Sequence, residues 1–330
     1  DTVTPQEVAR LIKVFVDDYI AVSNAATQQQ LLHISRAMLH GIHSIFPPPE
    51  VTGHDGEDPI AQKKMEEGEG IWHDCKEILG WMFDGKAYTI ALPEKKIATI
   101  ISEINTFKKI SKNKQKRRQR VPLNRWQKLA GKLMHASFGL VGGKAMFSPI
   151  WKAMEGSPKF VPFNPALVEC LQDWKYILKN MLKTPTDISL LVAEYPHYTG
   201  YLDACGLGGA GGVLLAGSSN FPPLVWQIEW PEDIKQRFAK HEITINDLEL
   251  AAIVISWLAF ENILPDMTDI RIGLSCDNTS AVSWNQKGSS SSSKVAGRLL
   301  RMLYLRVRDR GAGEAMATNI AGINNLMADV

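Results

Sequence analysis

Four carboxylates in the last third of this 330-residue chain carry the most chemical information: Asp203, Glu249, Asp277 and Asp329. Asp203 lies in a strand-like run, Thr199-Gly-Tyr-Leu-Asp-Ala-Cys205, and Asp277 closes the apolar run Ile270-Arg-Ile-Gly-Leu-Ser-Cys-Asp277. Glu249 falls in Asn246-Asp-Leu-Glu-Leu-Ala-Ala252, which has helical spacing, and Asp329 ends the helix-opening stretch Asn324-Asn-Leu-Met-Ala-Asp329. Like charges do not share a site unless a cation neutralises them. Four acids drawn from separate elements can hold two divalent metals, and two metals suit the making or breaking of phosphodiesters. Taken singly, each acid reads first as a solvated surface charge, less so Asp203 and Asp277, which lie inside or end apolar strands. The ordered set, strand then helix then strand then helix, argues for a site.

Two further clusters have chemical content. Asp17-Asp18 stands between Phe15-Val16 and Tyr19-Ile20. An acidic hairpin turn is one reading, since Asp is common in turns. The other is a metal site, because flanking apolar residues press the pair into a turn where uncompensated anions are costly. Residues 108–120 hold Lys108, Lys109, Lys112, Lys114, Lys116, Arg117, Arg118 and Arg120, with no acid among them. Such a run is either a solvated face or a segment that tracks phosphates and releases their counterions. Gly206-Leu-Gly-Gly-Ala-Gly211 fits G-x-G-x-x-G literally. A second strand rather than a helix follows it, so a glycine-rich hairpin is expected, not a dinucleotide site. His33, His40 and His43 could line one helix face; a metal site is one reading, but no matching carboxylate or Cys is evident, and His40 and His43 are expected to cap or flank the core. Trp126, Trp151 and Trp174 are likewise expected in the core.

The elements that must position these groups read as follows. Residues 11–23 form a hairpin around Asp17-Asp18, and Thr27 to Phe46 form a helix ended by Pro47-Pro48-Pro49. Residues 50–70 are acidic, Gly-rich and loop-like. A second hairpin runs from Lys76 to Leu92 with Asp84-Gly85 at its turn. Helices are expected from Pro93 to Ile110 and over 124–138, 148–154 and 164–182, with a boundary near Thr184-Pro-Thr186. The remainder alternates: strands at 199–205, 211–216 and 223–230, a helix at 246–262, a strand at 270–276, helices at 279–286 and 294–309, and a strand at 314–321. That order is a mixed sheet with helices. Ser289–Ser293 reads as a polar, mobile spacer.

Bulk composition fits a globular chain of two or three domains, with 45% hydrophobic and 22% charged residues and a net charge of only +2. There is no run long enough to span a bilayer and no signal peptide, so an intracellular protein, cytoplasmic or nuclear and not secreted, is expected. Cys75, Cys170, Cys205 and Cys276 are far apart and form no CxxC pair; they read as reduced thiols with no zinc site. Nothing in the sequence sets an oligomeric state.

Placed in order, these motifs resemble a retroelement polyprotein, of the LTR or tyrosine-recombinase retrotransposon type. Phe15-Val16-Asp17-Asp18 resembles the F/Y-x-D-D motif of reverse transcriptases, and Ile78-Leu79-Gly80-Trp81 resembles the Leu-Gly element of their primer grip. Residues 195–330 resemble the ribonuclease H domain. Tyr201-Leu202-Asp203 matches its first strand, and Asn246-Asp247-Leu248-Glu249 its first helix. Cys276-Asp277-Asn278, opening on Thr279-Ser280-Ala281, matches its fourth strand. Gly322-Ile-Asn-Asn325-Leu-Met-Ala328-Asp329 matches G-x-x-N-x-x-A-D. Leu129–His135 and Phe147–Trp151 are similar to the tyrosine-recombinase group.

The resemblance implies an α+β region, the end of a polymerase palm over 1–93, then a helical thumb or connection over 94–190. A ribonuclease H-like mixed-sheet α/β domain follows over 191–330. It implies that Asp203, Glu249, Asp277 and Asp329 hold two Mg²⁺ (or Mn²⁺) ions and hydrolyse the RNA strand of RNA–DNA hybrids. It also implies that Asp17 and Asp18 belong to an incomplete polymerase metal site within a parent RNA-directed DNA polymerase. Gly80, Trp81 and the cations of 108–120 would contact nucleic acid. Two departures stand out: Thr318-Asn-Ile-Ala-Gly322 carries no His before the last acid, and the chain stops at Val330, so a final helix is expected to be missing. The alternative is a non-catalytic nucleic-acid-binding remnant or domesticated fragment. An integrase-type triad is disfavoured by the glutamate lying between the first and third acids.

Overall fold

The computed structural model describes residues 9–15, 18–25, 27–52, 58–112, 120–192, 195–216, 222–290 and 292–328. The chain divides into two compact units, Asp1–Leu79 and Gly80–Val330.

The first unit opens with an antiparallel pair, β1 (Ala9–Phe15) and β2 (Asp18–Ser23), in which Phe15 pairs with Asp18. The helix α1 (Gln28–Ile45) follows. Its start is set by Thr27, whose hydroxyl accepts from the Gln30 N–H while the Gln30 side chain accepts from the Thr27 N–H. This reciprocal capping box satisfies two amides that the first turn leaves unpaired. The prolines after Phe46 end the helix because they cannot continue its hydrogen bonding. The expected loop over 50–70 contains two short helices, α2 (Pro49–Thr52) and α3 (Gln62–Glu66). They are too short to show a periodic apolar face, so the pattern reads as a loop. The unit ends in β3 (Cys75–Ile78).

The second unit begins with β4 (Trp81–Asp84) and β5 (Thr89–Ala91), an antiparallel pair. The Asp84 carboxylate closes the turn by accepting from the Lys86 and Ala87 N–H groups, both at 2.9 Å. Then come α4 (Glu94–Lys112), the short strand β6 (Arg120–Pro122) and α5 (Leu123–Ser137). They are followed by α6 (Ser148–Met154), β7 (Phe160–Pro162), α7 (Pro165–Asn180) and β8 (Thr186–Asp187). β8 adds to β5, and β6 pairs antiparallel with β7.

From Tyr198 the pattern changes to a five-stranded mixed sheet, with spatial order β11-β10-β9-β12-β13. Its strands are β9 (Tyr198–Ala204), β10 (Gly209–Ala216), β11 (Leu224–Glu229), β12 (Ile272–Cys276) and β13 (Ala315–Asn319). The first three form an antiparallel meander, whereas β12 is parallel to both β9 and β13. The helices are α8 (Glu232–Ala239), α9 (Ile245–Ile263), α10 (Thr279–Lys287) and α11 (Lys294–Asp309). The glycine-rich stretch is the β9–β10 hairpin, as the context of the G-x-G-x-x-G match implies. A Cβ on Gly209 would lie 1.9 Å from the Ile228 carbonyl oxygen, so the neighbouring strand requires glycine there.

α9 is apolar nearly all round, with Leu248, Leu250, Ile253, Val254, Trp257 and Phe260 buried, as befits a helix enclosed by its neighbours. One continuous core runs from Trp81 to Ala317 and includes the fully buried indoles of Trp126, Trp174 and Trp257. Trp151 departs from the expected core: its side chain is 46% exposed and stacks on the buried Phe147 ring at 5.6 Å. α11 is tied to α7 across this core. Arg301 pairs with Glu169 at 3.3 Å and Asp173 at 3.2 Å, and the Tyr176 hydroxyl reaches Asp309 at 3.1 Å.

The Ser289–Ser293 spacer, expected to be mobile, is built in at its described residues. Ser290 is buried, and Ser293 caps α11 by accepting from the Ala296 N–H while donating to Asp247 on α9. All four cysteines are free thiols, two buried (Cys170, Cys276) and two exposed (Cys75, Cys205). Among the described residues, no helix is long and apolar enough to cross a membrane.

Candidate metal and nuclease site

The central strands bring two of the four acids to one level. β12 pairs with β9 in parallel, Ser275 opposite Tyr201. Extending that register by two residues sets Asp277 beside Asp203, on strands spaced about 4.8 Å apart. Asp203 is half-buried on the face of β9 opposite Leu202 and Ala204. Its cross-strand partner on β10 is Gly211, so no side chain stands over it there. Asp277 lies just past the end of β12, where the chain turns into α10, the position at which parallel sheets leave a ligand crevice.

α9 supplies the third acid. Glu249, only 4% exposed, sits one turn into the helix. Burial pushes its carboxyl up to about 8, and the nearby charges of Asp203 and then Asp277 push the same way, while a hydrogen bond from Cys276 opposes them. That thiol donates to Glu249 Oε2 at 3.6 Å and is itself pushed up to about 12 by burial and by Glu249. One ligand atom each from Glu249, Cys276 and Asp277 lies within 4.8 Å of the others.

The residues fit a divalent cation on two grounds. Carboxylate oxygens are the donors that Mg²⁺ and Mn²⁺ prefer. The buried Glu249, facing two further acids, is also in an arrangement that a cation relieves.

Neighbouring side chains fix the frame. Asn278 caps α10 by accepting from the Ala281 N–H at 2.9 Å, and its amide donates to Asn246 on α9 at 2.8 Å. Asn319 at the end of β13 donates to the carbonyls of Cys276 (3.3 Å) and Asp277 (3.1 Å). The buried Asn325 donates to the Leu202 carbonyl at 3.0 Å, which ties the 322–328 segment to β9 one residue before Asp203. A Cβ on Gly322 would lie 3.1 Å from Asp277 Oδ2, so the chain passes close behind that carboxylate.

The structure thus brings Asp203, Glu249 and Asp277 together. Asp329 lies outside the described residues, as does Asp17; Asp18 opens β2, and its side chain is not described. Lys108, Lys109 and Lys112 fall in the last turns of α4, Lys114, Lys116, Arg117 and Arg118 lie outside the described residues, and Arg120 is the exposed first residue of β6. Gly80 has a positive φ of 80° and its carbonyl accepts from Lys96 at 2.9 Å. Trp81 is only 6% exposed and stacks on His135 at 5.3 Å, so its ring serves the core rather than an exposed base platform. Cys276 is the site neighbour that sequence reasoning passed over. Its signal is its place directly before Asp277 at the end of an apolar strand.

No family model and no curated protein matches the chain. Solved structures with a likeness to it include a foamy viral protease-reverse transcriptase in complex with RNA/DNA hybrid (TM-score 0.36, 9% identity, covering 93% of this chain and 35% of that one). Two more are the N-terminal RNase H domain of Rv2228c from Mycobacterium tuberculosis, a fusion with maltose binding protein (0.29, 11%, 40% and 92%), and RNase H1 from Halobacterium salinarum NRC-1 (0.27, 17%, 40% and 90%). This chain therefore spans about a third of the length of the foamy viral protein.

Proposed function

We propose that this protein is a metal-dependent ribonuclease H that hydrolyses the RNA strand of RNA–DNA hybrids, within a retroelement reverse transcriptase. The observation that carries the reading is the convergence of Asp203 from β9, Glu249 from α9 and Asp277 from the end of β12. These acids occupy the elements, and follow the order, that the ribonuclease H resemblance implies. Asp329 is proposed as the fourth of the set, and residues 191–330 as the nuclease domain. Residues 1–93 are proposed as the end of a palm carrying Asp17 and Asp18, and 94–190 as a thumb or connection whose Lys108–Arg120 run follows the duplex.

Asp203, Glu249 and Asp277, together with Asp329, would hold two Mg²⁺ or Mn²⁺ ions. When bound, such ions supply an activated water and stabilise the leaving oxygen of the phosphodiester. The protein's own part is to fix the acids before the ions arrive. The parallel β9–β12 register, continued two residues past its last pair, levels Asp203 with Asp277. α9 holds Glu249 out of bulk water. Asn278, Asn319 and Asn325 lock the loops on either side.

The test is cleavage of an end-labelled RNA–DNA hybrid in Mg²⁺ or Mn²⁺, beside duplex DNA of the same sequence. The hybrid is cut and the duplex is not, and Asp203→Asn abolishes the cutting. Hybrid that is bound but left intact in both metals would support the non-catalytic binding fragment instead.

A further inference from the structure

We infer that the β6–β7 ribbon is a docking site for single-stranded nucleic acid, with a base stacked on Phe160 and phosphates held by Arg120 and Lys159. The ribbon is three residues on each strand, with Arg120 opposite Pro162, Val121 opposite Val161 and Pro122 opposite Phe160. Its two faces are unlike. Val121 and Val161 are fully buried, and the ribbon's register leaves Arg120 and Phe160 on the opposite face. They sit on that face as diagonal neighbours, a separation that long and aromatic side chains can bridge. Lys159, also exposed, precedes Phe160, and its carbonyl accepts from the Leu123 N–H at 3.3 Å, which fastens the ribbon to the start of α5.

Phe160 is 42% exposed on a rigid base. Below the ribbon Phe107, Trp126 and Phe163 pack ring on ring, with centroids 5.0, 5.5 and 6.4 Å apart. A large ring partly left in water, with Arg120 as its diagonal neighbour and Lys159 next to it in the chain, has its complement in an unpaired base and the flanking phosphates. Base–aromatic stacking with a cationic track is the general means of holding single strands without sequence preference.

Charge favours that occupant over an apolar protein surface. Residues 108–120 contribute eight cations and no acid, and the run leads directly into Arg120 at the ribbon's first residue. Phe160 and Lys159 are forty residues away in sequence, and only the β6–β7 pairing joins them to that run. A base inside a duplex has no free face, so stacking on Phe160 selects single strands. This binding does not depend on the carboxylate site.

The test is fluorescence anisotropy of the full chain with a labelled oligo-dT and, separately, a labelled DNA duplex. Neither probe holds RNA, so the outcome is independent of whether the acids cut hybrids. Phe160→Ala is expected to weaken oligo-dT binding by about fivefold or more, the lower end of what stacking contributes, and to leave duplex binding unchanged. Phe160→Tyr restores the wild-type affinity. Arg120→Ala and Lys159→Ala each lower the salt slope by about 0.7, the value for one phosphate contact on a single strand. Wild-type oligo-dT affinity in Phe160→Ala, or an equal loss for both probes, would overturn the proposal. Unchanged thermal midpoints in the three alanine variants separate a lost contact from a lost fold.

Discussion

The two ends of α9 each bury a glutamate, and they treat it oppositely. Near the C-terminal end, Glu261 is 7% exposed and meets two guanidinium groups, Arg310 at 2.7 Å and Arg306 at 3.6 Å. Near the N-terminal end, Glu249 is 4% exposed and meets two acids and a thiol. The first arrangement is complete within the protein, since the buried charge has its countercharge in place. The second lacks one. Between them in character is Asp247, also buried, whose oxygens are taken up by the Thr244 N–H and hydroxyl (2.9 Å each) and by Ser293. A buried acid is therefore no signal of function by itself. What distinguishes Glu249 is that its neighbours are acids from other elements.

The largest effect expected from this contrast is on catalysis. Glu249→Gln should lower hybrid cleavage by about a hundredfold or more, because a metal ligand's share of charge stabilisation is several kcal/mol. Glu261→Gln should leave cleavage within a few-fold of wild type. Comparable rates for the two variants in a single-turnover assay would erase the distinction.

Next is stability against pH in metal-free protein. The Glu249 carboxyl is held up to about 8 in the fold, above its ordinary 4.5. Between those values the folded state binds more protons than the unfolded one, so stability falls as pH rises through that window. The loss amounts to a few kcal/mol at most. Urea midpoints taken in EDTA from pH 5 to 8.5 should show this slope in wild type. The slope should be reduced in Glu249→Gln and retained in Glu261→Gln.

The order reverses for stability at neutral pH. Glu261→Gln loses the charge-assisted hydrogen bond from Arg310 and the ion pair with Arg306, and should cost about 1–2 kcal/mol in urea denaturation. The figure stays at the low end because both arginine side chains are half exposed and can turn to water. Glu249→Gln should cost less, since at neutral pH an uncharged amide replaces a carboxyl that the fold already holds largely protonated. The smallest effect belongs to Ser293→Ala, which removes the α11 cap and a partner of Asp247 and should cost about 1 kcal/mol without changing metal affinity.

Much of this was legible in the sequence, and the limits have physical causes. Asp203 and Asp277 show themselves because an acid inside or ending an apolar strand is out of place, and Glu249 because it completes an ordered set. The helices with a wide apolar face, such as α5 and α7, fall within a residue or two of their expected bounds. α8 was not expected because it is only eight residues long and its apolar side is a single partly buried pair, Ile234 and Phe238. β6, β7 and β8 are two or three residues long, and their pairing is set by tertiary neighbours that a local pattern does not record. Ser289–Ser293 reads as a mobile spacer because serine favours loops. Its actual task, capping α11 against a buried Asp247, depends on a residue more than forty positions earlier. The burial of Trp81 and the exposure of Trp151 were illegible for a similar reason: the packing of Gly139 and His135 on one ring and of Phe147 on the other decides them.

The proposed divalent-cation site lies at the N-terminal end of α9 and not at its C-terminal end. Electron paramagnetic resonance of Mn²⁺ titrated into the protein without nucleic acid reads this directly. Wild type and Glu261→Gln should take up Mn²⁺ with the same affinity, and Glu249→Gln and Asp203→Asn should bind it at least about tenfold more weakly. Equal Mn²⁺ uptake by wild type and Glu249→Gln would contradict it.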